Sequence, residues 1–161
     1  MAKTGLFGQW AQGSLVVTDE GLATGSRFWV HSGIGTDGAG YGMSPLKPFA
    51  TVDYAIGKCT TLVGDVIYVM PGHSEAFTAA NGWDADVIGI SIIGLGWGDL
   101  RPHFHFDDTD ATVAVGAAGV TIKNMRFIAG ISAVVVGVDV EAAGTGAVIE
   151  DCEWYWGGTT T

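Results

Sequence analysis

The strongest constraint on the fold is a set of strand-like runs whose apolar and polar positions can be superimposed. When Ile92, Ile122 and Ile149 are placed in register, the runs around them match, at spacings of 30 and 27 residues. Repeats of about this length that contain short strands are typical of solenoids, in which each coil packs on its neighbours. The pattern predicts a solenoid of about four coils over residues 65–161.

The same register predicts which charged side chains meet on neighbouring coils. It places Lys123 beside Glu150 and Arg126 beside Glu153, and both are pairs of opposite charge. Exposed cross-strand pairs contribute only about 0.2–1 kcal/mol each. We therefore expect these pairs to help select the register more than to stabilise the fold.

The register also predicts the corners of the coils. Asn124 and Asp151 fall at equivalent positions, each between two strand-like runs. Both residue types tolerate a left-handed backbone and bond to local backbone groups, so we expect each to turn the chain at a corner. Beyond the corner, the alignment stacks Trp97 on Phe127 and Trp154.

The segment before the repeats, from Phe28 to Gly72, combines several kinds of element. A strand-like FWVH is followed by a glycine-rich loop, and a β-branched strand ends the segment. Between them, apolar residues at i, i+3 and i+4 spacing predict one face of a short helix, with Thr51 as N-cap and Pro48 upstream. This apolar face consists of Phe49, Val52, Ala55, Ile56, Cys59 and Leu62.

This order of strand, loop, helix and strand resembles the N-terminal start of right-handed parallel β-helix proteins, the pectate-lyase-like superfamily. The resemblance implies an all-β fold: a short right-handed parallel β-helix with an N-terminal capping helix and an N-terminal arm. It divides the chain into an arm or side-packed segment (1–26), a start with the capping helix (27–64) and the coils (65–161). One fold hosts many functions, so an activity does not follow from this resemblance alone.

Residues 1–26 carry isolated large apolar side chains without a helix or strand period, among them Leu6, Phe7 and Trp10. A segment of this kind cannot bury its own aromatic side chains. It either packs on the side of its own solenoid or forms an arm that lies on another chain. We take Leu6, Phe7 and Trp10 as candidate interface residues.

Composition excludes several classes of partner. The formal net charge is −10, and the seven basic residues form no cluster, which argues against nucleic acid. No apolar stretch approaches the roughly 20 residues that span a bilayer, and the N-terminal residues lack the pattern of a signal peptide. We therefore expect no membrane partner and synthesis in a cytoplasm. Cys59 and Cys152 are expected to be reduced and packed as small apolar residues.

Catalytic candidates are few. The most chemically loaded stretch is RPHFHFDDTD, residues 101–110. In the superfamily that the chain resembles, hydrolases use two or three carboxylates, and Asp107 and Asp108 with Asp139 are the nearest match. The Gly-His-Gly signature of those hydrolases is missing, so we expect no enzymatic activity. Other carboxylates that could take part are Asp84, Asp86 and Asp110.

The histidines offer a weak metal site. In a strand, HFHF puts His103 and His105 on one face and the two phenylalanines on the other. Two histidines beside carboxylates could bind a divalent metal, but no third histidine lies nearby in the sequence. We expect outward histidines, inward phenylalanines and no metal or other cofactor. His73 is expected to bond to backbone in a turn.

Aromatic residues cluster near the end of the sequence, at Trp154, Tyr155 and Trp156. Strand geometry puts the two tryptophans on one face, and no helix follows to cover the last coil. The edge must then be covered by the TTT tail, by a symmetry mate or by another protein. We take these three residues as further interface candidates, with plugging of the chain's own core as the alternative.

The resemblance extends to small β-helix proteins of tailed bacteriophage particles, which are usually trimers. It implies a non-enzymatic virion structural protein, a capsid decoration or cement protein made in the host cytoplasm that binds capsid or tail proteins as a homo-oligomer, with a trimer favoured. The alternative is a carbohydrate-active or carbohydrate-binding β-helix, such as a short tailspike or a polysaccharide lyase or hydrolase.

Overall fold

A computed structural model describes residues 25–78 and 82–157 of the chain. These residues form one short α-helix, one 3₁₀ turn and eleven short strands. Their bounds are β1 (Arg27–Val30), α1 (Val52–Ile56), β2 (Val66–Val69), β3 (Ser74–Phe77), β4 (Ser91–Gly94), the 3₁₀ turn (Gly98–Leu100), β5 (His103–Phe106), β6 (Val113–Val115), β7 (Thr121–Lys123), β8 (Arg126–Ala129), β9 (Val138–Val140), β10 (Val148–Glu150) and β11 (Glu153–Trp156).

The strands form three parallel sheets, which confirms the predicted all-β parallel β-helix. The first sheet has the order β1-β2-β4-β7-β10, the second β11-β8-β5-β3, and the third contains β6 and β9. Asp84 extends the third sheet through a parallel bridge to Ala114. The chain winds through about three turns, and β10 and β11 begin a fourth. The expected number was about four, because the sequence pattern counts this last, incomplete coil as a full one.

The predicted register is confirmed in the first sheet. Ile92 pairs with Ile122, and Ile122 pairs with Ile149. On the outer face, Lys123 Nζ lies 2.9 Å from Glu150 Oε1. In the second sheet, Arg126 Nε lies 2.9 Å from Glu153 Oε2, as predicted.

The coil corners are also as predicted. Asn124 and Asp151 have φ angles of 58° and 54°, in the left-handed region. The Asn124 side-chain amide donates hydrogen bonds to the backbone oxygens of Gly94 and Gly96, at 2.7 and 3.1 Å. One corner side chain therefore holds the preceding coil in place.

The predicted stacking of Trp97 on Phe127 is wrong. Phe127 pairs with Phe104 on one side and with Trp154 on the other, and Trp97 is 82% exposed. After β4 the chain makes an additional 3₁₀ turn before β5, and this insertion carries Trp97 away from the core.

Helix α1 caps the N-terminal end of the solenoid. The Thr51 side chain accepts a hydrogen bond from the Tyr54 backbone N–H, which confirms the predicted N-cap. Four of the six predicted apolar-face residues are buried and Cys59 is half-buried, but Leu62 is exposed because α1 ends at Ile56. Within the described residues, no helix is long and apolar enough to cross a membrane. The buried four are Phe49, Val52, Ala55 and Ile56.

Candidate functional site

The C-terminal coil exposes side chains whose equivalents in earlier coils are buried. In the first sheet, Ile67, Ile92 and Ile122 are each 0% exposed. Ile149, the next residue in this column, is 37% exposed. Among the residues that the structure describes, no further strand of the first sheet lies beside Ile149 to cover it.

The second sheet has the same gradient. Phe104 is 0% exposed and Phe127 is 1% exposed, whereas Trp154 in the next coil is 58% exposed. The Trp154 ring lies 4.8 Å from that of Phe127, centroid to centroid, so its inner face packs on the core. Its outer face remains uncovered. Trp156 lies beside Ala129 and is also exposed.

The backbone of this coil is likewise open on one side. In β10, the Val148 N–H donates to Val120 O and the Glu150 C=O accepts from Asn124 N–H, so these groups point to β7. Successive residues of a parallel strand direct their backbone groups to opposite sides, so Ile149 presents its N–H and C=O to the outer edge.

The same alternation holds in β11. The N–H groups of Glu153 and Gly157 donate to Met125 O and Ala129 O, each at 2.8 Å. Trp154 therefore faces the outer edge with its backbone groups. No strand within residues 25–78 and 82–157 pairs with the outer edge of β10 or β11. We call β10 and β11 together the open coil end.

A shallow cavity of about 220 Å³ adjoins the open coil end. Its walls are mainly apolar, and the exposed ring of Trp154 forms one side. The lining residues are Phe106, Phe127, Ala129, Val134, Gly137, Trp154 and Tyr155. The size and apolar lining of this cavity therefore suit an apolar side chain of another molecule.

Carboxylates line the solvent side of the open coil end. They are Glu150, Asp151 and Glu153. Lysine and arginine side chains of the preceding coils form ion pairs with them. Lys123 Nζ lies 3.6 Å from Asp151 Oδ2, and Arg101 lies 3.2 Å from Glu153 Oε1. These cations belong to the preceding coils, and the side chains of Glu150 and Glu153 remain partly exposed.

The predicted interface residues divide between two parts of the chain. Trp154, Tyr155 and Trp156 are exposed together on the last strand of the open coil end. The other candidates, Leu6, Phe7 and Trp10, lie outside the described residues. The sequence missed Ile149 as a member of this surface, because an isoleucine in a strand gives no signal of whether another coil covers it.

The three aspartates that the sequence predicted as a catalytic group, Asp107, Asp108 and Asp139, do not line one common cavity. Asp107 and Asp108 lie in the turn after β5, where Asp108 Oδ1 accepts a hydrogen bond from the Asp110 backbone N–H. Asp139 lies on β9 and lines a different cavity of about 390 Å³. We call this second cavity the acidic cavity. Its other carboxylates are Asp53, Asp84 and Glu141.

One carboxyl group of the acidic cavity, that of Asp53, has a raised pKa. Partial burial, with the charge of Glu75 as the next contribution, raises the pKa of Asp53 above its ordinary value. The sequence could not indicate this cavity as a whole. Its members come from α1 and from the third sheet, and their proximity depends on the bridge between Asp84 and Ala114.

The HFHF strand has the predicted orientation, with both phenylalanines buried. The rings of His103 and His105 lie 5.2 Å apart on the outer face, and partial burial lowers the pKa of His103. Within the described part of the chain, no group of three or more His, Cys, Asp or Glu side chains has a geometry that could hold a metal ion.

His73 bonds to backbone as expected, but it is also part of a buried network. The Ser32 N–H donates to His73 Nδ1 at 3.0 Å, so Nε2 carries the proton and donates to Glu75 Oε2 at 2.9 Å. Glu75 Oε2 also accepts from the Val52 N–H at 3.3 Å. The network joins the loop after β1 to the start of α1.

Both cysteines are free thiols and are half-buried. Burial raises the pKa of Cys59 to about 12, with a further contribution from the charge of Asp65. Burial also raises the pKa of Cys152. At neutral pH both thiols stay protonated, which disfavours reactivity as thiolates.

Comparison with family models, with curated proteins and with solved structures finds no match to this chain.

Proposed function

We propose that this protein is a non-enzymatic structural protein that joins a larger assembly through its open coil end. One observation carries this proposal: the buried columns of the solenoid continue to Ile149 and Trp154, which are exposed. A large apolar side chain contributes about 1.5–3 kcal/mol when it is fully buried, so a partner that covers this end would gain substantial stabilisation.

We further propose a bacteriophage particle as that assembly, with this protein as a capsid decoration or cement protein of pectate-lyase-like type. Residues 28–72 resemble the start of right-handed parallel β-helix proteins, a fold that includes small virion proteins of tailed bacteriophages, and this likeness of fold supports this step. A stable interface buries about 1,600 Å² in total, which takes 20–30 residues on each side. The open coil end is smaller, so a homotrimer through the solenoid sides, or contacts from Leu6, Phe7 and Trp10, would supply the remaining area.

The test is the mass of the purified protein in solution, measured by light scattering after size exclusion. The protein is measured alone and after mixing with purified capsid and tail proteins of the particle. We expect a stable trimer or a stoichiometric complex. A monomer that binds none of these proteins would contradict the proposal.

The acidic cavity favours a second candidate function, binding or cleavage of a carbohydrate. Its four carboxylates line a cavity of about 390 Å³, and one of them has a raised pKa, as a general acid requires. A glycan array, followed by assays of polysaccharide cleavage, tests this candidate. Asp139→Asn should abolish binding or cleavage, and Asp110→Asn, which lies outside the cavity, should not. Equal effects of the two variants would contradict it.

A further inference from the structure

We propose that the open coil end binds a strand–corner–strand segment of another protein, which adds two parallel strands to β10 and β11 and carries basic side chains opposite Glu150 and Glu153. This inference deepens the proposed assembly role and rests on it. It names the kind of partner surface that the last coil fits.

The backbone supplies the first argument. Ile149 and Trp154 direct their N–H and C=O groups outward, and no described strand pairs with them. Edge strands of this kind bind extended segments by main-chain hydrogen bonds, and side-chain pockets at alternate positions add specificity. The two edges lie on one coil and are joined by the corner at Asp151, so a segment with the same corner can pair with both.

The inward side chains supply the second argument. Parallel strands in register stack equivalent residues, as Ile122 stacks on Ile149 and Phe127 on Trp154. A segment that continues the columns would place an aliphatic residue over Ile149 and a large apolar residue over Trp154. The cavity of about 220 Å³ beside Trp154 gives that second residue space.

Charge supplies the third argument and specifies the outward side chains. Cations of the preceding coils already contact the two glutamates of the open coil end: Lys123 contacts Glu150, and Arg126 and Arg101 contact Glu153. A strand added on the open side places one residue opposite each of these glutamates. Like charges directly opposite each other destabilise a sheet, so Lys or Arg is favoured at both positions.

A second copy of this chain does not meet these requirements. The opposite end of the solenoid is closed, because Trp29 N–H donates to Gly42 O and Phe49 N–H donates to Trp29 O along the outer edge of β1. Contact between two open coil ends would bring Glu150, Asp151 and Glu153 of one chain close to the same carboxylates of the other. Each chain also carries a formal charge of −10, so this contact is disfavoured. A different polypeptide with basic outward residues is favoured.

The chain itself contains a suitable probe. Residues 120–130, VTIKNMRFIAG, already pair with β10 and β11 from the covered side, and they present Lys123 and Arg126 outward. A labelled synthetic peptide of this sequence is titrated with the full chain by fluorescence anisotropy. The matched control peptide carries Glu at both basic positions. We expect saturable binding of the first peptide, and binding of the control that is weaker by about tenfold.

Two variants of the protein identify the edge that the peptide uses. Ile149→Pro removes an N–H that faces the open side, so the internal ladder is kept and peptide binding is expected to be lost. If this variant does not show the melting transition of the parent, Glu150→Gln with Glu153→Gln replaces it. That double variant should bind the two peptides with similar affinity.

The inference is overturned if the first peptide does not bind, or if both peptides bind the parent equally. It is also overturned if the protein alone forms a dimer that Ile149→Pro dissociates, since a second copy would then be the occupant. Peptide binding without any complex with particle proteins would contradict only the proposed function. A particle complex that forms while the peptide fails to bind would contradict only this inference.

Discussion

Single buried polar residues hold the N-terminal end of this solenoid together. Asp65 is buried, and its carboxylate accepts hydrogen bonds from the backbone N–H groups of Ser26 and Thr60. It therefore ties the residue before β1 and the loop after α1 to the start of β2. His73 and Glu75 perform a similar task at the start of α1, which they join to the loop after β1.

Replacement of Asp65 by Ala should destabilise the fold, because both N–H groups lose a charged acceptor. The expected loss in the free energy of unfolding is about 1–3 kcal/mol, measured by urea denaturation. Asp65→Asn keeps one side-chain oxygen and should lose less. Equal losses in the two variants would contradict a hydrogen-bonding role.

The raised pKa of Asp53 makes stability depend on pH. Its ionised form is disfavoured in the folded chain, so the unfolded chain releases this proton first as the pH rises. The Asp53 contribution to stability therefore falls as the pH rises from the ordinary pKa of 3.8 through the higher folded-state pKa, and the loss persists above that pKa. Asp53→Asn should raise the melting temperature at pH 7, and this gain should shrink as the pH falls toward 3.8. Asp110→Asn is the control, and a gain that is the same at all pH values would contradict the assignment.

At the scale of elements, the short strands depend on the columns that they form across the coils. No strand in the described part of the chain exceeds four residues, so each is too short to be stable without its neighbours. The cross-strand ion pairs and the corner residues agree with the same register as the apolar columns. Such agreement among local preferences is typical of a sequence that specifies one fold.

Position along a column should decide how much a core residue contributes. Ile122 is covered on both sides and Ile149 on one side only. Ile122→Ala should therefore cost about 2–5 kcal/mol of unfolding free energy, and Ile149→Ala clearly less. Chemical denaturation of both variants is the measurement. Equal losses would mean that Ile149 is covered in the isolated protein.

At the scale of the whole molecule, the described residues form a solenoid that is closed at one end and open at the other. Helix α1 and the loop beside β1 cover the first coil, and the last coil exposes apolar side chains and strand edges. This difference between the two ends is the basis of the proposed assembly role. The acidic cavity shares no lining residue with the cavity beside the open coil end, so the two candidate functions can be separated by mutation.

Trp154→Ala should weaken binding to an assembly partner at least tenfold, because aromatic anchors dominate interface energies. Leu46→Ala is the control, since Leu46 is also exposed but lies between β1 and α1, at the opposite end of the solenoid. Affinity is measured by titration with the partner, and the melting transition of each variant shows that it folds. Equal weakening by the two variants would contradict an interface at the open coil end.

Most of the fold could be predicted from local patterns. The parallel register of Ile92, Ile122 and Ile149, the left-handed corners and the capping helix all depend on residues whose preferences act locally or repeat along the chain. The stacking of Trp97 failed because a 3₁₀ turn of three residues interrupts the repeat, and no local signal distinguishes an insertion from a longer coil.

The order of residues alone thus specified a stack of short parallel strands with charged pairs on its surface, since repetition places equivalent side chains over each other. Folding in three dimensions decided which members of the columns are covered, and it joined Asp53 and Asp84 to Asp139 in one cavity. The physical reason is that exposure and proximity depend on which elements lie beside a residue. A column of identical residues reads the same in the sequence whether or not its last member has a neighbour.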